Sequence, residues 1–311
     1  MKPSRTSRPS PTSRTAEELA TQPACWRRAA GTARTAGGLP VPGERVAVTG
    51  CGTSWFMAQA YAALREAAGQ GETDAYPASE FPVRRRYDRV VAITRSGTTT
   101  EVLDLLGRLT DPATTITADP SQLPQRPSAE HIAIPWADEE SVVQTRFATT
   151  ALALLRAGLE RHGALPPDVR TVAEAAAHAE EALAAPLPPA AVRAGQWTFL
   201  GRGWAYGLAQ EAALKMREAA GAWTEAYPAM EYRHGPVAIA GPGRVTWGLG
   251  PVPEGLAAEV ARAGGTYEGV AGRDPMAELV RAQRLAVTLA ERAGRDPDAP
   301  RNLTRSVILD G

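Results

Sequence analysis

Short runs of β-branched and apolar residues recur along this chain, each followed by a polar turn and then an Ala/Leu-rich stretch. Residues 45–50 (Arg-Val-Ala-Val-Thr-Gly) read as a buried parallel strand, Gly52-Thr53-Ser54 as a turn, and 55–67 as a helix. A second unit repeats the scheme with strand 89–94, turn 95–100 and helix 101–108. Further short strands are predicted at 114–117 and 131–134, and a long Ala/Leu helix at 141–159. Ahead of the first strand, 16–20 and 26–35 read as helix with a basic face, stopped by Pro40 and Pro42. Residues 161–195 are Ala-rich and broken by proline, as suits a helical connector. The scheme then restarts about 150 residues on, with strand 196–201, the turn Arg202-Gly203-Trp204 and helix 205–221. Alternating strands and helices in two blocks imply an α/β chain of two similar units, each a parallel sheet sandwiched by helices. The expected layout is a disordered leader at 1–15, a first domain at 16–160, the connector at 161–195 and a second domain at 196–311.

Composition narrows the function classes. Hydrophobic residues at 44% and charged residues at 22% suit a globular protein with full cores. The formal net charge is zero, so no global field draws in nucleic acid or an anionic membrane. A phosphate-bearing ligand must therefore be held by local geometry. Cys25 and Cys51 are the only cysteines and form neither a disulfide framework nor a zinc pattern, so no metal and no cofactor are expected. The Arg/Ser/Thr/Pro-rich leader lacks the apolar stretch of a secretory signal, and no apolar run is long enough for a bilayer. Cytoplasm is the expected compartment.

Two turns at strand ends carry candidate chemistry. Gly52-Thr53-Ser54 and Thr94-Arg95-Ser96-Gly97-Thr98-Thr99 each open a helix, where free backbone N–H groups and the positive dipole end favour an anion. One such junction alone is ordinary helix capping. Two in one domain, with hydroxyls at Ser54, Thr94, Ser96 and Thr99, point to a phosphate site. Neither a P-loop nor a dinucleotide fingerprint is present, so the phosphate belongs to a small molecule.

Lysine occurs only at Lys2 and Lys215, every other basic position being arginine. Glu211, Lys215 and Glu218 recur at helical spacing on one face, inside a stretch that is otherwise almost wholly apolar. Such spacing also makes surface salt-bridge ladders, but apolar flanks would raise a carboxylate's pKa and suit it to act as a base near neutrality. His234, held between Arg233 and Gly235-Pro236, follows shortly after and is a candidate for proton transfer.

Cys51-Gly52-Thr53-Ser54, Ser96-Gly97-Thr98-Thr99, Phe199-Leu200-Gly201-Arg202-Gly203, Ala212-Ala213-Leu214-Lys215-Met216-Arg217-Glu218, Glu225-Ala226-Tyr227 and His234-Gly235-Pro236, taken in order, resemble the sugar isomerase (SIS) domain family. Their spacing is similar to that in the isomerase half of glucosamine-6-phosphate synthase, hexosamine-6-phosphate deaminases and ketose–aldose isomerases. The tail from Pro300 to Val307 resembles the C-terminal loop of that group. The resemblance implies tandem flavodoxin-like SIS domains that bind a sugar 6-phosphate. It implies phosphate binding by Thr53, Ser54, Thr94, Arg95, Ser96 and Thr99, and C2 proton transfer by Glu218. It places Lys215 and Glu211 along the pocket, with sugar contacts from Cys51, Gly52, Val142, Val143 and Arg305. It also implies at least a homodimer, in which His234 reaches the neighbouring subunit's site to help open the sugar ring.

Two departures redirect the reaction. No glutaminase domain precedes the matched region, so glutamine-dependent amination is not expected of this chain alone. The loop position that carries a Schiff-base lysine in the synthase is Arg305, and a guanidinium does not readily form an imine. Enolisation remains. Isomerisation or deamination is the expected outcome. The alternatives are dehydration of an N-acetylhexosamine 6-phosphate by β-elimination and a non-catalytic sugar-phosphate sensor.

Overall fold

The computed structural model describes residues 12–125 and 127–309; most of the expected leader, residues 1–11, lies outside them. Helix α1 (Arg14–Ala20) begins inside the segment expected to be disordered. Its start is fixed from far along the chain: the Thr15 N–H and hydroxyl both donate to Asp298, at 2.8 and 2.7 Å. Local composition cannot report a tie of that range. Helix α2 (Gln22–Ala33) starts ahead of the expected 26–35, because Pro23 sits in its first turn, where the missing N–H costs nothing.

Two parallel sheets follow. The first contains β1 (Val46–Gly50), β2 (Thr73–Pro77), β3 (Arg89–Thr94), β4 (Ala113–Thr117) and β5 (Ala129–Ala133), in spatial order β2-β1-β3-β4-β5. Helices α3 (Thr53–Ala67) and α4 (Thr100–Arg108) leave β1 and β3 at their carboxyl ends. After α5 (Arg146–Arg161), α6 (Val172–Ala184) and the short α7 (Pro189–Arg193), the second sheet forms. Its strands are β6 (Gln196–Gly201), β7 (Thr224–Pro228), β8 (Arg244–Leu249) and β9 (Thr266–Glu268), ordered β7-β6-β8-β9. Helices α8 (Ala205–Ala220), α9 (Leu256–Arg262) and α10 (Pro275–Arg292) complete it.

The edge strands β2 and β7 escape the reading of apolar periodicity because they are only half buried. Their sequences, Thr-Asp-Ala-Tyr-Pro and Thr-Glu-Ala-Tyr-Pro, nevertheless stand at the same distance after Gly50 and Gly201. The halves are therefore repeats of one unit in register as well as in topology.

One apolar core joins the halves. Val48, Val91 and Ile116 of the first sheet belong to the same buried cluster as Phe199, Val245 and Trp247 of the second. Between them α3 packs on α8, and α6 packs on α2 and α10. The expected connector is thus not a loose link: Ala175, Ala176, Ala179 and Ala182 are fully buried in this core. Among the described residues no helix is long and apolar enough to cross a membrane.

The start of α10 is pinned by a buried ion pair. Asp274 caps the helix by accepting from the Met276 N–H at 3.0 Å, and it also accepts from Arg156 of α5 at 2.7 Å. Both side chains are almost fully buried, so removing one strands the other charge in low dielectric. Asp274→Ala should lower unfolding free energy by about 3–5 kcal/mol, as read from the midpoint of a urea titration.

Candidate active site

The hydroxyl-rich turn after β3 is shaped by Gly97. Its φ is +66°, and an added Cβ would lie 2.3 Å from the Asp119 carbonyl oxygen, so only glycine closes the turn without displacing that strand end. Ser96, Thr98 and Thr99 consequently cluster before α4. Across from them, Cys51 and Ser54 stand where β1 passes into α3. Cys51, Ser54, Thr94, Arg95, Ser96 and Thr99 line one cleft of about 30 Å³, with Gln144 and Arg305. The Thr94 hydroxyl is buried there without a hydrogen-bond partner.

Arg95 has a second duty. Its Nη1 donates to the Ser141 carbonyl at 2.9 Å and its Nη2 to the Arg305 carbonyl at 2.8 Å, which leaves Nε unpartnered. The guanidinium therefore ties two loops to the cradle, and burial pulls its pKa below the ordinary value.

The C-terminal tail lies over this cradle. The Thr100 N–H donates to the Val307 carbonyl at 3.2 Å, and the Leu309 N–H donates to the Thr100 hydroxyl at 2.9 Å. The Ser306 hydroxyl oxygen sits 3.0 Å from Thr98, 3.2 Å from Ser96 and 3.4 Å from Thr99. Three hydroxyls converging on one oxygen is the arrangement an anionic oxygen would use. Arg305 Nη2 donates to both carboxylate oxygens of Asp138, at 2.6 and 2.7 Å, and its Nη1 to the Glu139 carbonyl.

On α8 the helical spacing brings Glu211, Lys215 and Glu218 together. Lys215 Nζ is in close contact with the Glu218 carboxylate and lies 3.5 Å from Glu211 Oε1. Burial alone would depress the Lys215 ammonium, but the two carboxylates outweigh it and its pKa is raised. Glu211 is fully buried, with the Lys215 ammonium and the Thr53 hydroxyl as its polar neighbours. Burial, opposed by Lys215 and assisted by Glu218, pushes its carboxyl up to about 8. Burial, with the charge of Glu101 nearby, also pushes the Cys51 thiol up to about 11, so it faces the cavity as a neutral group.

Lys215 and Glu218 share a cavity of about 180 Å³ with Cys51, Gly52, Thr53, Thr99, Val142, Gln144 and tail residues 303–307. The Glu218 side chain is 19% exposed and so stands in the cavity wall, not in bulk solvent.

Two expected positions, Val143 and Glu211, differ. Val143 is 2% exposed and belongs to the apolar core, because burial alternates through the bends at 141–145; Val142 and Gln144 line the cavity instead. The helix expected from 141 accordingly begins only at Arg146, where the Glu139 carboxylate accepts from the N–H groups of Thr145, Arg146 and Phe147. Glu211 does not line the cavity but lies behind Lys215. His234 is exposed after the 3₁₀ turn Glu231–Arg233 and is not part of this cavity's wall. Sequence reasoning passed over Gln144, Thr98 and Ser306. Period-two alternation from Val142 would have pointed to Gln144.

Curated relatives and solved structures agree on what this architecture is. The chain is 27% identical over 333 residues to the glutamine–fructose-6-phosphate aminotransferase (isomerizing) of Synechocystis sp., covering 86% of this chain and 52% of that protein. It is 33% identical over 145 residues to that of Aeropyrum pernix, covering 38% and 24%. The chain thus spans at most about half the length of these relatives. The fold matches glucosamine-6-phosphate deaminase from Thermotoga maritima with a TM-score of 0.76 at 23% identity, over 96% of this chain and 100% of that one. It matches tagatose-6-phosphate ketose/aldose isomerase from Escherichia coli with a TM-score of 0.71 at 17% identity, over 94% and 97%. No family model matches. The two parallel sheets and their helices form the tandem, flavodoxin-like SIS architecture that the motifs resemble.

The tail is held largely by surface-accessible bonds, which are individually weak. Asp138→Ala should therefore speed amide hydrogen exchange at residues 305–309 by about three- to tenfold while leaving exchange in β1 and β3 unchanged, as read by mass spectrometry.

Proposed function

We propose that this chain binds a hexose or hexosamine 6-phosphate and uses Glu218 to remove the C2 proton of the open-chain sugar. The products are then the ketose or, from a free C2 amine, the deaminated sugar and ammonia. The observation that carries this reading is the single cavity lined by Thr99 of the hydroxyl turn together with Glu218 and Lys215. Its phosphate end is built from neutral donors, namely Ser54, Thr94, Ser96 and Thr99, with Thr53 on the adjoining cavity wall and Arg95 holding the loops around them.

In this reading Glu218 starts as a carboxylate paired with Lys215. It accepts the C2 proton while the ammonium of Lys215 faces the oxyanion that develops at C1 or C2. Glu218 then returns the proton to C1 as the O2 proton passes to O1, which gives the ketose; from a free C2 amine the same step gives the C2 imine, which water hydrolyses to the ketose and ammonia. Arg305, already paired with Asp138, forms no imine with the ketose and closes the loop instead. His234 is exposed and outside its own chain's cavity, which supports a homodimer in which it completes the partner's site.

Glu218→Gln should slow deuterium exchange at C2 by about 10²–10⁴-fold while leaving the affinity for the sugar phosphate within about threefold. Exchange at the parent rate, followed by proton NMR, would rule Glu218 out as the base. Tight binding with no C2 exchange in the parent would favour the sensor. Mixed dimers of Ser96→Glu and His234→Ala chains should regain up to about half of parental turnover if sites are shared, because one of their two sites is then intact. Verified mixed dimers that stay inactive would assign each site to one chain.

A further inference from the structure

We infer that Glu211 is a positioning residue for this reaction: it holds the one proton shared by the Glu211–Lys215–Glu218 cluster, which keeps Glu218 ionised and Lys215 directed at the cavity. The inference rests on Glu218 acting as the base.

Two carboxylates share a single ammonium on one face of α8. With both ionised, the cluster would carry an excess negative charge in a region with little water, so one bound proton is favoured. Position decides which carboxylate takes it. Glu211 is completely buried with the Lys215 ammonium 3.5 Å away, whereas Glu218 opens to the cavity and contacts Lys215 closely. Desolvation penalises the charged form of Glu211 far more, consistent with its carboxyl being pushed up to about 8.

The surrounding groups do not reverse this. α3, packed across α8, presents the Thr53 hydroxyl. Arg217 on α8 feels both carboxylates, and Glu139 adds a further negative charge acting on Lys215. α10 also packs on α8, but its carboxylate Glu278 is tied to Arg273, Arg281 and Trp247.

A neutral Glu211 cannot compete for the ammonium, so Lys215 pairs with Glu218 and remains available to a substrate oxygen. Once Glu211 ionises it draws Lys215 inward, and the cavity loses its cation. Turnover therefore falls as pH rises through the Glu211 transition.

The test compares kcat against pH for the parent, Glu211→Gln and Glu211→Asp proteins on one sugar phosphate. The parent should lose about tenfold per pH unit above a transition near pH 8. Glu211→Gln should remain flat for at least about one unit further, and Glu211→Asp should move the limb without abolishing it. A parent profile flat to about pH 9.5, or a limb unmoved in both variants, overturns the inference. Without any substrate, infrared difference spectra (parent minus Glu211→Gln) near pH 7 should show a protonated carboxyl stretch that disappears near pH 9.5. Absence of that band at pH 7 also overturns it. If the band is present but no sugar phosphate exchanges its C2 proton, the proposed reaction fails while the proton assignment stands.

Discussion

One ammonium placed between two carboxylates on a buried helix face is the constraint on which the site depends. An unpaired lysine could not be kept charged there, and two unpaired carboxylates could not both be kept ionised. The cluster persists because α3 packs across α8 and the two sheets share a core, which leaves Glu218 as the carboxylate in the cavity wall. The same packing puts a helix of the second half against the turns of the first. Neither half alone has both the hydroxyl-rich turns and the Glu211–Lys215–Glu218 face.

The hydroxyl-rich end of the site follows a different principle. Its donors are hydroxyls and helix N-termini, and the buried arginine beside them is occupied in holding the Ser141 and Arg305 carbonyls. A cradle of neutral dipoles can bind phosphate without a fixed cation competing for the Glu218 carboxylate nearby. The tail sets Ser306 among those hydroxyls, so the cradle is made by segments 207–210 residues apart.

Much of this was legible in the residues. The strands ending at Gly50, Thr94 and Gly201 follow from short β-branched apolar runs closed by a turn, and the helices that leave them and the shared face of Glu211, Lys215 and Glu218 follow from the period of 3.6. The half-buried edge strands β2 and β7 were not legible from apolar pattern, although their near-identical sequences mark the repeat. The leader's boundary and the packed state of the 161–195 segment depended on contacts with distant residues such as Asp298 and those of α10.

What the sequence determined by itself is which side chains share a helix face or a turn, because local geometry fixes those relations over a few residues. It did not determine which of those side chains meets solvent, substrate or core. That Val143 turns inward while Gln144 lines the cavity, that Glu211 lies behind Lys215, and that His234 stands outside its own chain's cavity were decided by tertiary packing. Burial and the pKa values that follow from it are properties of everything packed around a group, and no local stretch of sequence carries that information.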